Sequence, residues 1–172
     1  MTNSNFKSIL KSLNFQENNH IFEKHFPKTE AYLKVDFDKK ELIYPEDKGL
    51  KINERQTCNF EQNENFVVFE CVHRLLEKGY QPKHIELEPK WKVGRGASGG
   101  RADILVKSQE KNEKGEYKPL LLIECKTAGK EFEKAWKDTQ QDGGQLFSYA
   151  QQIQETEFLC LYASDFDEKT NH

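Results

Sequence analysis

The sequence predicts an α/β domain in which the elements from residue 65 onward follow the order α, β, β, β, α, β. Three observations lead to this class. Apolar residues recur at helical spacing between residues 65 and 78, three short strand-like segments follow in succession, and a last apolar segment ends the pattern. The chain has 172 residues, which suits one domain or one domain with a small addition.

The first of these elements is a helix over residues 65 to 78. Its apolar residues lie three or four positions apart, and Gly79 follows where glycine commonly ends a helix. The residues that define this spacing are Phe66, Phe69, Val72, His73 and Leu76.

Three strands are expected after this helix. Residues 84 to 88 alternate in polarity and residues 91 to 93 continue the alternation, while residues 101 to 106 and 119 to 126 have the composition of strands. The charged linker 107 to 118 between the last two strands contains Gly115 and is predicted to be an exposed hairpin connection. These two strands are therefore expected to pair in antiparallel fashion.

Helical patterning returns after the third strand. It covers residues 131 to 137 and again residues 144 to 154, and residues 158 to 162 are predicted to form a buried strand. Residues 1 to 60 carry weaker helical spacing followed by short alternating pieces near residues 35 to 37 and 42 to 44. The sequence thus predicts a mostly helical N-terminal elaboration over residues 1–60 and a core over residues 61–172.

Composition narrows the function classes. The net charge of -3 repels polyanions, so any nucleic-acid partner must be held by a local cluster of lysine and arginine. No apolar run approaches the roughly 20 residues that a bilayer requires, so no membrane partner is expected and a cytoplasmic location is predicted. The four cysteines are far apart and the histidines show no metal spacing, which argues against a zinc site and places the histidines at the surface.

The residues that indicate chemistry lie at the ends of two neighbouring strands. On a strand, Glu124 and Lys126 point to the same face, while Ile123 and Cys125 point into apolar packing. If Asp103 pairs opposite Glu124, as the hairpin permits, two carboxylates and one ammonium meet. Such a cluster is unfavourable unless a cation joins it, and carboxylate oxygens suit Mg²⁺. The other interpretation is a strand end with solvated charges.

This pattern predicts hydrolysis of phosphodiester bonds with Mg²⁺ as cofactor, for which Mn²⁺ is an expected substitute. Asp103 and Glu124 are the predicted metal ligands, and the metal would polarise the phosphoryl oxygen and lower the pKa of a bound water. Lys126 would orient that water or stabilise the developing negative charge.

Asp103, Glu124-Cys-Lys126 and the order of the elements resemble the PD-(D/E)xK nuclease superfamily over residues 64 to 163, although Ala102 stands where the name has proline. Gln145 and Tyr149 match the Q-x-x-x-Y motif of type I and related single-chain restriction enzymes. The resemblance implies a restriction-endonuclease-like core, a central mixed sheet flanked by helices. It also implies positioning roles for Gln145 and Tyr149 and a further acidic metal ligand on the first helix, for which Glu70 is the candidate.

Basic residues near the strand ends are predicted to contact the DNA backbone. A G-x-G-x-x-G pattern at residues 94 to 99 is followed by a strand rather than a helix, so it is interpreted as a turn and not as a nucleotide site. The basic residues after Lys126 could equally belong to a solvent-exposed helix face that does not bind DNA, because acidic residues interleave with them. The predicted DNA contacts are Lys90, Lys92, Arg95, Arg101 and Lys130.

The predicted function is therefore a Mg²⁺-dependent DNA endonuclease domain of a restriction enzyme, acting on double-stranded DNA. Sequence recognition would come from methyltransferase, helicase or specificity domains or subunits of a restriction-modification system. Two alternatives remain: a catalytically inactive nuclease-like module for nucleic-acid binding or assembly, and a stand-alone DNA repair nuclease.

Overall fold

The computed structural model describes residues 1–90, 102–142 and 156–167. Within these ranges the protein is a mixed α/β structure with three α-helices and two β-sheets. In each sheet, strands that follow one another along the chain lie side by side, four in the first sheet and five in the second. The α/β class that the sequence predicted is confirmed.

The N-terminal region contains mainly strands. Helix α1 (Phe6–Ser12) precedes four short antiparallel strands, which are β1 (Gln16–Asn18), β2 (Ile21–Phe26), β3 (Ala31–Asp36) and β4 (Glu41–Ile43). The prediction of a mostly helical elaboration is therefore wrong.

The error in this region has a simple physical cause. Phe22 and Phe26 are both buried in β2, and two residues four positions apart share one face of a helix and also one face of a strand. Their spacing alone could not separate the two structures. The period of two becomes visible in β3, where Leu33 and Val35 are both fully buried.

The second sheet is mixed. Strand β5 (Lys51–Ile52) is parallel to β6 (Ile85–Leu87), which is antiparallel to β7 (Ile104–Lys111). Strand β7 pairs with β8 (Tyr117–Cys125) in the predicted antiparallel fashion, but both strands extend into residues 107 to 118, which were predicted to be an exposed connection. Strand β8 is parallel to β9 (Phe158–Tyr162). Strand β9 is half-buried rather than fully buried, because Phe158 is 58 % exposed.

Two of the three helical segments predicted for the core are also present. Helix α2 (Asn63–Lys78) ends at Gly79, whose φ of +98° lies in the left-handed region that glycine adopts without strain. Helix α3 (Lys130–Asp142) covers the predicted helical segment at residues 131 to 137. The helix predicted for residues 144 to 154 and the strand continuation at 91 to 93 lie outside the described residues. The order α2, β6, β7, β8, α3, β9 matches the prediction.

Buried residues from both sheets and from α1 and α2 form one hydrophobic core. Phe6 of α1 is central to it, because its ring lies 4.4 Å from that of Phe66 and 6.0 Å from that of Phe69, both in α2. Two histidines belong to this interior, since His73 and His84 are 1 % and 5 % exposed. The prediction that the histidines lie at the surface is wrong for these two.

Candidate active site

The register of the β7–β8 hairpin brings Asp103 next to Glu124. Ile104 pairs with Ile123, which places the preceding Asp103 opposite Glu124. The backbone N–H of Asp103 donates to the carbonyl of Ile123 at 3.2 Å, and the N–H of Cys125 donates to Oδ2 of Asp103 at 2.6 Å. The strand pairing on which the sequence prediction depended is therefore present.

Glu124 and Lys126 share one face at the end of β8. The ammonium of Lys126 lies 2.8 Å from Oε1 of Glu124, whereas Ile123 and Cys125 are buried in the hydrophobic core. The side chains of Glu124 and Lys126 are only 5 % and 18 % exposed, so this ion pair is sheltered from solvent. The two side chains are not the solvated charges of an ordinary strand end.

Helix α2 contributes a third carboxylate to this cluster. Oε2 of Glu64, in the first turn of the helix, lies 3.1 Å from Nζ of Lys126. Glu64 is not among the site residues that the sequence predicted. Its only signal in the sequence is its place in the first turn of a helix, where acidic residues are common for reasons unrelated to any site.

Glu70, the helix residue that the resemblance suggested, has other contacts. Its Oε1 accepts a hydrogen bond from Nε of Arg74 at 2.5 Å, and its Oε2 accepts one from the hydroxyl of Tyr162. Glu70 lies six residues after Glu64, which is about 9 Å farther along the helix axis. Both carboxylate oxygens of Glu70 are thus engaged by groups outside the Asp103, Glu124 and Lys126 cluster.

The electrostatics of the cluster reflect burial and crowding of like charges. Burial and the neighbouring Glu124 carboxylate raise the pKa of Asp103 well above its usual range. Burial also raises the pKa of Glu124, although the Lys126 ammonium opposes this change. Burial by itself would lower the pKa of Lys126, but the carboxylates of Glu124, Glu64 and Asp103 together outweigh it and raise that pKa. Lys126 is therefore firmly cationic.

One oxygen of this cluster stands out. Oε2 of Glu124 is buried and has no hydrogen-bond partner within the described part of the chain. When ionised, the carboxylates of Asp103, Glu124 and Glu64 also outnumber the single ammonium of Lys126. An all-oxygen donor set with excess negative charge fits a hard divalent cation such as Mg²⁺.

A complete cage of protein ligands is absent from residues 1–90, 102–142 and 156–167. No group of three or more His, Cys, Asp or Glu side chains in these ranges could hold a metal ion. The fit to Mg²⁺ is consequently that of a site with one or two carboxylates, in which waters and substrate oxygens complete the octahedron.

The remaining predicted residues fall into two groups. Lys90 forms an ion pair with Glu54 at 3.0 Å, and Lys130 is exposed at the start of α3. The others lie outside the described residues: Lys92, Arg95, Arg101, Gln145 and Tyr149.

Comparison with known proteins gave no match, either to a protein-family model or to a curated protein. No helix among the described residues is long and apolar enough to cross a membrane. Any function assigned to this site therefore rests on the contacts of Asp103, Glu124, Lys126 and Glu64.

Proposed function

We propose that the protein is a metal-dependent DNA endonuclease domain that hydrolyses phosphodiester bonds with Mg²⁺, or with Mn²⁺ in its place. The observation that carries this proposal is the buried Oε2 of Glu124, which has no hydrogen-bond partner among the residues that the structure describes, beside Asp103 and Lys126. A buried polar group without a partner is unfavourable by about 1–3 kcal/mol, and by more if it is charged. A divalent cation would supply the missing interaction and balance the excess of carboxylates.

The proposed roles follow from the donor types. Asp103 and Glu124 would hold the cation, which would polarise a phosphoryl oxygen and lower the pKa of a water molecule. Lys126 orients the attacking water or neutralises charge that develops on the phosphate, and Glu64 holds the Lys126 side chain. The water oxygen bonds to phosphorus as one P–O ester bond breaks. One water proton passes to solvent, and the leaving oxygen takes up a proton.

Double-stranded DNA is the proposed substrate because of the resemblance to the PD-(D/E)xK superfamily. Lys90 and Lys130 are proposed to contact the phosphate backbone, as are Lys92, Arg95 and Arg101. Such contacts carry little sequence information. Recognition is therefore assigned to other domains or subunits of a restriction-modification system, and Gln145 and Tyr149 are assigned to positioning the DNA.

A plasmid-nicking assay tests the proposal. With Mg²⁺, we expect the protein, alone or within its restriction complex, to convert supercoiled plasmid to nicked or linear DNA. Asp103→Asn and Glu124→Gln should lower the rate at least about a hundredfold, because loss of even an outer-shell partner of a metal site lowers activity by about 10–100-fold. The matched control is Glu110→Gln, an exposed carboxylate on the same hairpin that should cleave like the wild type.

Calorimetric titration with Mn²⁺ or Mg²⁺ separates this function from a noncatalytic module. An active site of the proposed kind binds the metal in the wild type and in Glu110→Gln but not in Asp103→Asn. Cleavage that persists in both Asp103→Asn and Glu124→Gln would refute the proposed nuclease site. Metal binding of unchanged affinity in these two variants would refute it as well.

A further inference from the structure

Glu70 is a buried acidic residue in the middle of α2 that the proposed reaction does not use directly. Only 2 % of the residue is exposed. One oxygen is paired with Nε of Arg74, one turn later on the same helix, and the other accepts the hydroxyl hydrogen of Tyr162. Each of its oxygens is thus already engaged by another side chain of the protein. Its place in the protein therefore requires another explanation.

Tyr162 connects this carboxylate to the candidate active site. It is the last residue of β9 and pairs with Cys125, the last residue of β8. Its backbone carbonyl accepts a hydrogen bond from the N–H of Lys126 at 2.8 Å. The contacts thus run without interruption from Arg74 through Glu70 and Tyr162 to the backbone of Lys126.

The position of Lys126 explains why such a connection matters. Lys126 is the first residue after β8, and its N–H makes the last hydrogen bond of the β8–β9 ladder. Its ammonium must nevertheless stay within 2.8 Å of Glu124 and 3.1 Å of Glu64. The hydrogen bond to the Tyr162 carbonyl holds the backbone at this point, and the Tyr162 hydroxyl is itself held by a buried carboxylate on α2.

We propose that Glu70 and Tyr162 are positioning residues that brace the end of β9 against α2 and thereby hold Lys126 in place for the reaction. The inference deepens the proposed nuclease function and rests on it. In this assignment Glu64 contacts the Lys126 side chain directly, whereas Glu70 acts on the Lys126 backbone through Tyr162. Displacement of a reacting group by about 1 Å can lower a rate about a hundredfold, so a brace of this kind affects turnover.

The first test uses amide hydrogen exchange measured by NMR and requires no activity. In Tyr162→Phe and Glu70→Gln, we expect the Lys126 amide to exchange about fivefold faster than in the wild type, the effect of weakening one hydrogen bond. Matched controls are Tyr44→Phe, which removes another tyrosine hydroxyl bond in the core, and Glu77→Gln, which alters another carboxylate of α2. Neither control should change exchange at Lys126.

The second test measures cleavage kinetics in the same four variants. Tyr162→Phe and Glu70→Gln should lower kcat about tenfold or more and leave KM for DNA within about twofold of wild type, because the DNA contacts lie on other residues. The Tyr44→Phe and Glu77→Gln variants should keep both parameters.

Three outcomes would overturn the inference: exchange at Lys126 that matches the controls, faster exchange with unchanged kcat, or a rise in KM alone. A wild-type protein without nuclease activity would overturn the proposed function and the catalytic role of the brace. The exchange comparison would then still decide whether Glu70 and Tyr162 hold the Lys126 backbone.

Discussion

Acidification from pH 7 to pH 5 is expected to remove about 2 kcal/mol of the free energy of unfolding through His73 alone. The imidazole is 1 % exposed and lies between the rings of Phe15 and Phe26. Its Nε2 is 2.7 Å from the ammonium of Lys24. Burial, and then the charge of Lys24, lower the pKa of His73 from 6.5 to about 4, although Glu77 opposes the change.

The sign and size follow from proton linkage. The folded state binds a proton at His73 less tightly than the unfolded state, so the contribution is present above pH 6.5 and is lost as the pH falls toward 4. At pH 5 the unfolded histidine is almost fully protonated and the folded one is almost neutral. That difference is worth about 2 kcal/mol relative to pH 7 and shifts Tm by about 4–8 °C in a protein of this size.

The assay is urea denaturation at pH 7, 6 and 5 for the wild type and for His73→Gln. Glutamine can accept a hydrogen bond from Lys24 but does not titrate, so the variant should lose about 2 kcal/mol less than the wild type between pH 7 and pH 5. The difference between the two proteins isolates His73 from His84, whose pKa burial also lowers. Equal losses in both proteins would contradict the assignment of this pH dependence to His73.

Three further predictions concern the packing of the fold and the charge cluster. Phe6→Ala should lower the free energy of unfolding by about 3–5 kcal/mol, because the Phe6 ring packs on α2. The variant should still unfold in a single transition in calorimetry, and a separate early transition would argue against one cooperative core. Gly79→Ala should lower the free energy of unfolding, measured by urea denaturation, by about 1 kcal/mol, because a φ of +98° strains an L residue. An unchanged urea midpoint would contradict this. Lys126→Met at pH 8 without divalent metal should have a free energy of unfolding about 3 kcal/mol lower than the wild type, because Glu124 and Glu64 lose the ammonium that pairs with them. That loss should shrink on acidification as Glu124, whose pKa burial raises, takes up a proton, and a loss independent of pH would count against the charge cluster.

The strands β6 to β9 of the second sheet and the helix α2 could be predicted from the sequence because the residue patterns that indicate them are local. The apolar face of α2, the glycine after its last turn and the apolar run in β8 each lie within a few consecutive residues. The hairpin permits Asp103 to lie opposite Glu124 but does not fix that register, because the pairing of β7 with β8 shifts register twice between Val106 and Lys111.

The N-terminal strands show where local signals fail. Apolar residues four positions apart satisfy both a helix and a strand, as Phe22 and Phe26 do in β2. Pairing with β1 and β3 decides between the two structures, and that pairing is a non-local property of the sheet.

Asp103, Glu124 and Lys126 could be placed at strand ends from the order of residues alone, because side chains alternate between the two faces of any strand. The contact of Glu64, and not Glu70, with Lys126 is a result of how the folded chain packs. The spacing of apolar residues along a helix indicates which face is buried. It does not indicate the position of the helix along its axis relative to the sheet. That axial position is set by the packing of the whole core around α2, and it assigns the two glutamates to different neighbours.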